Sequence, residues 1–170
     1  MKKYSLNEIK ELVEELASII GAPRNLLPDY EKLLGESIEY IEVDSHGFMF
    51  FVACERGKEV KRKRTDKLDE LLYWIFSGIT LMMSSHYESK HRIEEQDSRR
   101  ILFDKQLELL GMLNPVWQRL EKERHKQTLV EHPFDDEAGL RATYYTQLRK
   151  QGIPETEIWK LIYERYPQNK

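Results

Sequence analysis

Leu68-Asp69-Glu70-Leu71-Leu72-Tyr73-Trp74-Ile75-Phe76-Ser77-Gly78-Ile79-Thr80-Leu81-Met82-Met83 decides the architecture of this chain. Leu68, Leu71, Leu72, Ile75, Ile79 and Met82 recur at the three- and four-residue steps of an α-helix, while Tyr73, Trp74, Phe76, Leu81 and Met83 cover its other sides. A helix apolar on nearly every side has to be enclosed, so the spacing predicts a long buried helix capped at Thr65. Beyond His86 the apolar residues thin out. Glu88, Lys90, His91, Arg92, Glu94, Glu95, Asp97, Arg99 and Arg100 follow within a few turns. There the chain is expected to leave its core and present charge to solvent.

Toward the N-terminus the period changes. Ile38, Tyr40, Ile41 and Val43 lead into the turn signal Asp44-Ser45-His46-Gly47, and Phe48 to Ala53 form the return strand. Arg56-Gly57 marks a second turn, after which Val60-Lys61-Arg62-Lys63-Arg64 is a candidate third, outer strand. Earlier still, Ser5 and Glu8 have the spacing of a capping box before the stripe Ile9, Leu12, Val13, Leu16, Ile19 and Ile20, and Gly21 ends that helix. Pro23 and Pro28 bracket the loop that follows.

Toward the C-terminus everything reads as helix. Ile101, Leu102, Phe103, Leu107, Leu109, Leu110 and Leu113 share a broad apolar face, and Asn114-Pro115 has the chemistry of a helix start. Val116, Trp117 and Leu120 anchor that next helix. Its charged middle, Glu121 to Lys126, is expected on the surface until Leu129 and Val130 touch down and His132-Pro133-Phe134 stops it. From Asp135 to Lys170 two short helices join at Gly152-Ile153-Pro154, with Ala138, Ala142, Tyr145 and Leu148 expected to face Ile158, Leu161 and Ile162. The fold class is therefore α+β: a small antiparallel sheet of two or three strands packed on a long central helix, followed by a mainly helical C-terminal half. Residues 1–136 form the expected core domain and residues 137–170 an appended helical hairpin.

With 170 residues the chain is long enough to bury a sizeable core without staples. Its 27 basic and 30 acidic residues nearly cancel, so no global field favours nucleic acid. Cys54 is the sole cysteine, which excludes an internal disulfide and a multi-cysteine zinc site. The N-terminus lacks the uninterrupted apolar core of a signal peptide, and the run from Leu71 to Met83 falls short of the ~20 residues that cross a bilayer. A cytoplasmic protein with no membrane partner is expected.

Catalytic constellations are weak. Glu88 and His91 have the three-residue interval of a carboxylate–histidine metal pair, but bundles that use it need a second such pair. His86 and His91 miss the four-residue zincin spacing. Ser84-Ser85 lacks a glycine-flanked elbow, and Cys54 has no neighbouring base, so a small buried thiol is the plainer reading. No glycine-rich phosphate loop is present. Neither a metal nor another cofactor is expected, and no catalytic residue is assigned. The basic run Lys58 to Arg64 leaves two readings open, a solvated edge strand or a nucleic-acid contact. The helix-turn-helix flavour of the C-terminal hairpin is offset by Glu155, Glu157 and Glu164. The charged patch likewise reads either as a corner of exposed ion pairs or as a contact surface, with Tyr87 as its aromatic anchor.

Asp69-Glu70-Leu71-Leu72-Tyr73-Trp74-Ile75-Phe76, His91-Arg92-Ile93-Glu94-Glu95-Gln96-Asp97-Ser98-Arg99-Arg100-Ile101-Leu102-Phe103 and His132-Pro133-Phe134-Asp135-Asp136 resemble, in order and spacing, the immunity protein 63 family of bacterial polymorphic-toxin systems. The resemblance covers residues 1 to about 136; Glu137 to Lys170 departs from the pattern. It implies a non-enzymatic protein whose partner is a cognate toxin domain, neutralised by tight binding in the producing cell. It brings no set of binding residues. Tyr87, His91, Arg92, Asp97, Arg99 and Arg100 are the candidate partner-binding residues because they concentrate where the buried helix emerges. Charge reversal at Arg99 and Arg100 is expected to weaken toxin binding with little change in melting temperature. The alternative is a nucleic-acid-binding regulator using Lys58 to Arg64. Oligomeric state is left open, with Trp159, Tyr163 and Tyr166 as a candidate dimer surface.

Overall fold

A computed structural model describes residues 3–30 and 37–167, except the side chains of residues 37 and 38. Ile38, expected to begin the alternating strand pattern, has a side chain outside the described set, as do residues 168–170 of the tail. Helix α1 spans Leu6–Ile20 and begins as its sequence dictates. The Ser5 hydroxyl accepts the Glu8 N–H, the Glu8 carboxylate accepts the Ser5 N–H at 2.7 Å, and Gly21 at φ +64° closes the other end. Ile9, Val13, Ala17 and Ile20 are buried, whereas Ile19 is turned outward and 49% exposed. Ile20 and Ile19 lie about 100° apart around the helix, so only one can face the core.

Strands β1 (Ser37–Val43), β2 (Met49–Glu55) and β3 (Lys58–Thr65) form an antiparallel meander in the order β1-β2-β3. Asp44 sets the first turn by accepting the N–H groups of His46 and Phe48, both at 2.9 Å. Pairing of Ile41 with Phe51 and of Val43 with Met49 places these side chains on the face that meets the helices. Tyr40, Val52 and the buried thiol of Cys54 collect on the opposite face. The two faces alternate because successive strand residues point to opposite sides.

Helix α2 (Leu68–His91) lies between the sheet and helix α3 (Ser98–Leu113). Leu71, Leu72, Ile75, Phe76 and Ile79 join the sheet and α1 in one core. The enclosure stops early: Leu81 and Met82 are 43% and 57% exposed, because among the described residues no layer covers that side of the helix's second half. Thr65 also differs from its expected role. It ends β3, accepts the Lys67 N–H and donates to Glu70 at 2.6 Å, while Lys67 holds the N-cap position without a side-chain cap.

Helix α4 (Pro115–Glu131) starts at Asn114, whose side chain accepts the Val116 N–H. Trp117 stacks on Phe76 with centroids 6.1 Å apart and donates its indole N–H to Asp69 at 3.0 Å. The charged middle of α4 was expected on the surface, yet Glu121 and His125 are 4% and 7% exposed. They fall on the same face as Trp117 at successive helical steps of four, and that face packs on α3. Helices α5 (Ala138–Lys150) and α6 (Glu155–Arg165) pair around Leu148, Ile158 and Ile162, an apolar cluster separate from the main core. Ala138 and Ala142 are exposed and do not share in that cluster.

Candidate functional site

The charged stretch after α2 divides into an inward half and an outward half. Asp97 is inward, only 6% exposed, and caps α3 by accepting the Arg99 N–H at 2.9 Å. Its other oxygen accepts the Arg99 guanidinium at 2.6 Å and the Asp135 N–H at 2.8 Å. Arg99 then donates to the carbonyls of His132 and Pro133, both at 2.8 Å. Arg100 forms a two-pronged pair with Asp136 at 2.8 and 2.9 Å and lies 4.1 Å over the Phe134 ring. Two stretches separated by some thirty residues in sequence, Asp97 to Arg100 and His132 to Asp136, are thus one corner in space. Burial pushes the Asp97 carboxyl up, but the Arg99 guanidinium and the N–H groups of Asp135 and Arg99 outweigh it and hold its pKa at about 2.

Tyr87, His91 and Arg92 are outward. The Tyr87 and His91 rings stack with centroids 3.9 Å apart, and His91 Nδ1 lies 2.8 Å from the Tyr87 carbonyl. A carbonyl only accepts, so Nδ1 carries the proton and Nε2 faces away from the helix bond. Arg92 grips the buried Glu88 with two hydrogen bonds at 2.7 and 2.9 Å. That guanidinium holds the Glu88 carboxyl below the usual carboxylate range. Glu88 and His91, considered together as a metal pair, are therefore committed to different neighbours. Among the described residues, no group of three or more His, Cys, Asp or Glu side chains is placed to hold a metal ion.

Tyr87 and His91 also border a groove of about 650 Å³ between the loop after α1, the second half of α2, and α3. Leu26, Met83 and Leu109 supply apolar surface within it, and Met82 stands beside them. His86, Lys90, His91 and Lys105 supply the charge or potential charge. Lys105 lies 5.0 Å over the Tyr87 ring and is shared with Glu108 at 2.8 Å. The basic strand β3 is arranged differently. Arg62 is held by Glu42 and Glu59, Lys63 lies 4.7 Å over the Trp74 ring, and Arg64 lies 3.6 Å over Phe48. On the hairpin, Trp159 and Tyr163 stack with centroids 5.9 Å apart and are both partly exposed.

A polar network inside the helical layer was missed in the sequence. Glu121 accepts hydrogen bonds from Tyr73, Ser77 and Arg124 at 2.9 to 3.0 Å. Gln106 donates to the Ser77 carbonyl, leaving its amide oxygen to accept from His125 Nε2 at 3.0 Å. His125 is thereby the Nε2-protonated tautomer, stacked 3.8 Å from Phe103, with Nδ1 buried and without a partner. The signal that was available is the Trp117–Glu121–His125 register on one helix face. Burial pulls the His125 pKa down against the pull of Glu121 in the opposite direction. The unfolded chain consequently takes up this proton first. The stability carried by neutral His125 is complete above about pH 6.5 and is lost as pH falls below it. Thermal melts between pH 7.5 and 5.5 are expected to fall more steeply for the wild type than for His125→Gln, and equal slopes would remove His125 as the cause.

The family model described as Immunity protein 63 matches residues 44–127. Residues 44–127 are similar to the immunity protein 63 family. The matched segment runs from the β1–β2 turn through β2, β3, α2 and α3 into α4, and contains Tyr87, His91, Arg92, Asp97, Arg99 and Arg100. It is narrower than the 1–136 span expected from the resemblance. Helix α1 and the His132 to Asp136 side of the corner lie outside it. No curated protein and no solved structure matches the chain. No helix among the described residues is long and apolar enough to cross a membrane.

Proposed function

We propose that this protein binds a cognate toxin domain and neutralises it in the cytoplasm of the cell that produces both. The observation that carries this reading is the immunity protein 63 match over residues 44–127. Within that span, contact with the toxin is made by the outward face of Tyr87, His91 and Arg92. Asp97, Arg99 and Arg100 contribute by fixing the corner from which that face projects. A stacked aromatic pair beside cationic side chains suits such a role. Rigid aromatic side chains give up little entropy on binding, and surrounding charges restrict which partner docks.

Co-expression provides the test. A toxin domain found encoded beside this chain is expected to arrest growth when produced alone. Growth returns when this protein is produced with it, and the two co-elute as a stable complex. Persistent arrest in the presence of abundant, folded protein would overturn the reading.

A further inference from the structure

The groove between the α1–β1 loop, α2 and α3 has a chemistry that specifies more than a flat contact. Its apolar surface comes from Leu26, Met83 and Leu109, with Met82 57% exposed beside them, an arrangement that leaves a large flexible side chain facing solvent. Its polar lining is one-sided. Lys90 and the imidazoles of His86 and His91 border it, and among the described residues no carboxylate lines it. Lys105 adds a cation shared with Glu108 at the outer edge. Among the described residues Lys90 has no carboxylate partner, unlike Arg92, Arg99 and Arg100 nearby. The uncommitted cation of this junction therefore stands at the groove, not in the corner. Methionines accommodate apolar side chains of varied shape.

We propose that this groove docks an acidic segment of the toxin, which seats an apolar side chain against Met82, Met83 and Leu26 and sets a carboxylate on Lys90. Charge complementarity selects this occupant, since an acidic segment supplies the counter-charges that the groove lacks. The inference rests on the neutralisation reading and adds the chemistry of the partner to it. It also places the toxin's docking segment on a surface of opposite sign to nucleic acid-binding sites, so this contact does not imitate a nucleic acid.

The experiment titrates the toxin domain encoded beside this chain, in an inactive form, against purified variants by calorimetry. Met82→Asp with Lys90→Glu is expected to weaken binding about 30-fold, whereas Lys122→Glu on the exposed side of α4 leaves it within about twofold. Rising salt is expected to weaken the wild-type complex and to narrow its advantage over the groove variant. Circular dichroism melts identify a variant that has unfolded. In that case the milder pair Met82→Ala and Lys90→Gln replaces it, with an expected loss of about fivefold. If the wild type binds and neutralises the toxin but the folded groove variants bind equally well, the docking site is overturned and neutralisation stands. If the wild type itself fails to bind, both fall.

Discussion

Replacing Asp97 with alanine is expected to lower the unfolding free energy by about 3 kcal/mol and the thermal midpoint by roughly 10 °C. The carboxylate caps α3, pairs with Arg99 and accepts the Asp135 N–H, so its removal undoes these bonds together. Arg99 would then keep the carbonyls of His132 and Pro133 and its place over the Phe134 ring, and the Asp135 N–H would lose its acceptor. A partly buried donor left unmatched costs more than the bond itself contributed. Asp97→Asn retains the cap but loses the charge, and should fall between alanine and wild type. The same carboxyl gives an acid signature. Its pKa is held at about 2 in the fold against an ordinary value near 4, so its contribution is complete above about pH 4 and is lost as pH falls toward about 2. A melting curve of Asp97→Ala that overlays the wild type at neutral pH would show that the corner does not hold the fold.

Truncating Tyr87 to alanine is expected to weaken toxin binding by at least about 2 kcal/mol, some 30-fold, while moving the thermal midpoint by no more than roughly 2 °C. The ring is 38% exposed, and His91 and Lys105 position it before any partner arrives. Pre-positioning lowers the entropy lost on association, which is how an exposed aromatic becomes an anchor. Calorimetry with the toxin domain measures the loss, and an unchanged Kd removes Tyr87 from the contact surface. Arg99→Glu makes a useful contrast. The pattern of charges suggested a variant that binds poorly but melts normally. The bonds from Arg99 to Asp97, His132 and Pro133 instead make a lower melting temperature the expected result. Arg100, paired with Asp136 at a more exposed position, should cost less.

Local chemistry explains which parts of the fold were readable. The Ser5–Glu8 capping box, Gly21, the Asp44 turn, and the Asn114 cap each depend on residues within a few positions of one another. So does the period of α2. Glu121 and His125 show where such reading ends. Their neighbours in sequence are Lys122, Glu123, Arg124 and Lys126, and that composition describes a solvated helix. Their neighbours in space are Tyr73, Ser77, Gln106 and Phe103, which turn the same side chains inward. A charged residue is buried only when a partner satisfies it, and these partners lie on other helices.

By itself, the sequence determined the order and type of the main elements, the caps of α1 and α4, and the position of the charged stretch where α2 leaves the core. Each follows from propensity, periodicity and turn chemistry acting over a few residues. Only the tertiary structure decided what the charges do there. Asp97, Arg99 and Arg100 turn to the His132–Asp136 segment, while Tyr87, His91 and Lys90 face the groove. The physical reason is that a side chain's hydrogen-bond partners and its access to water are properties of the packed chain, set by residues far away in sequence.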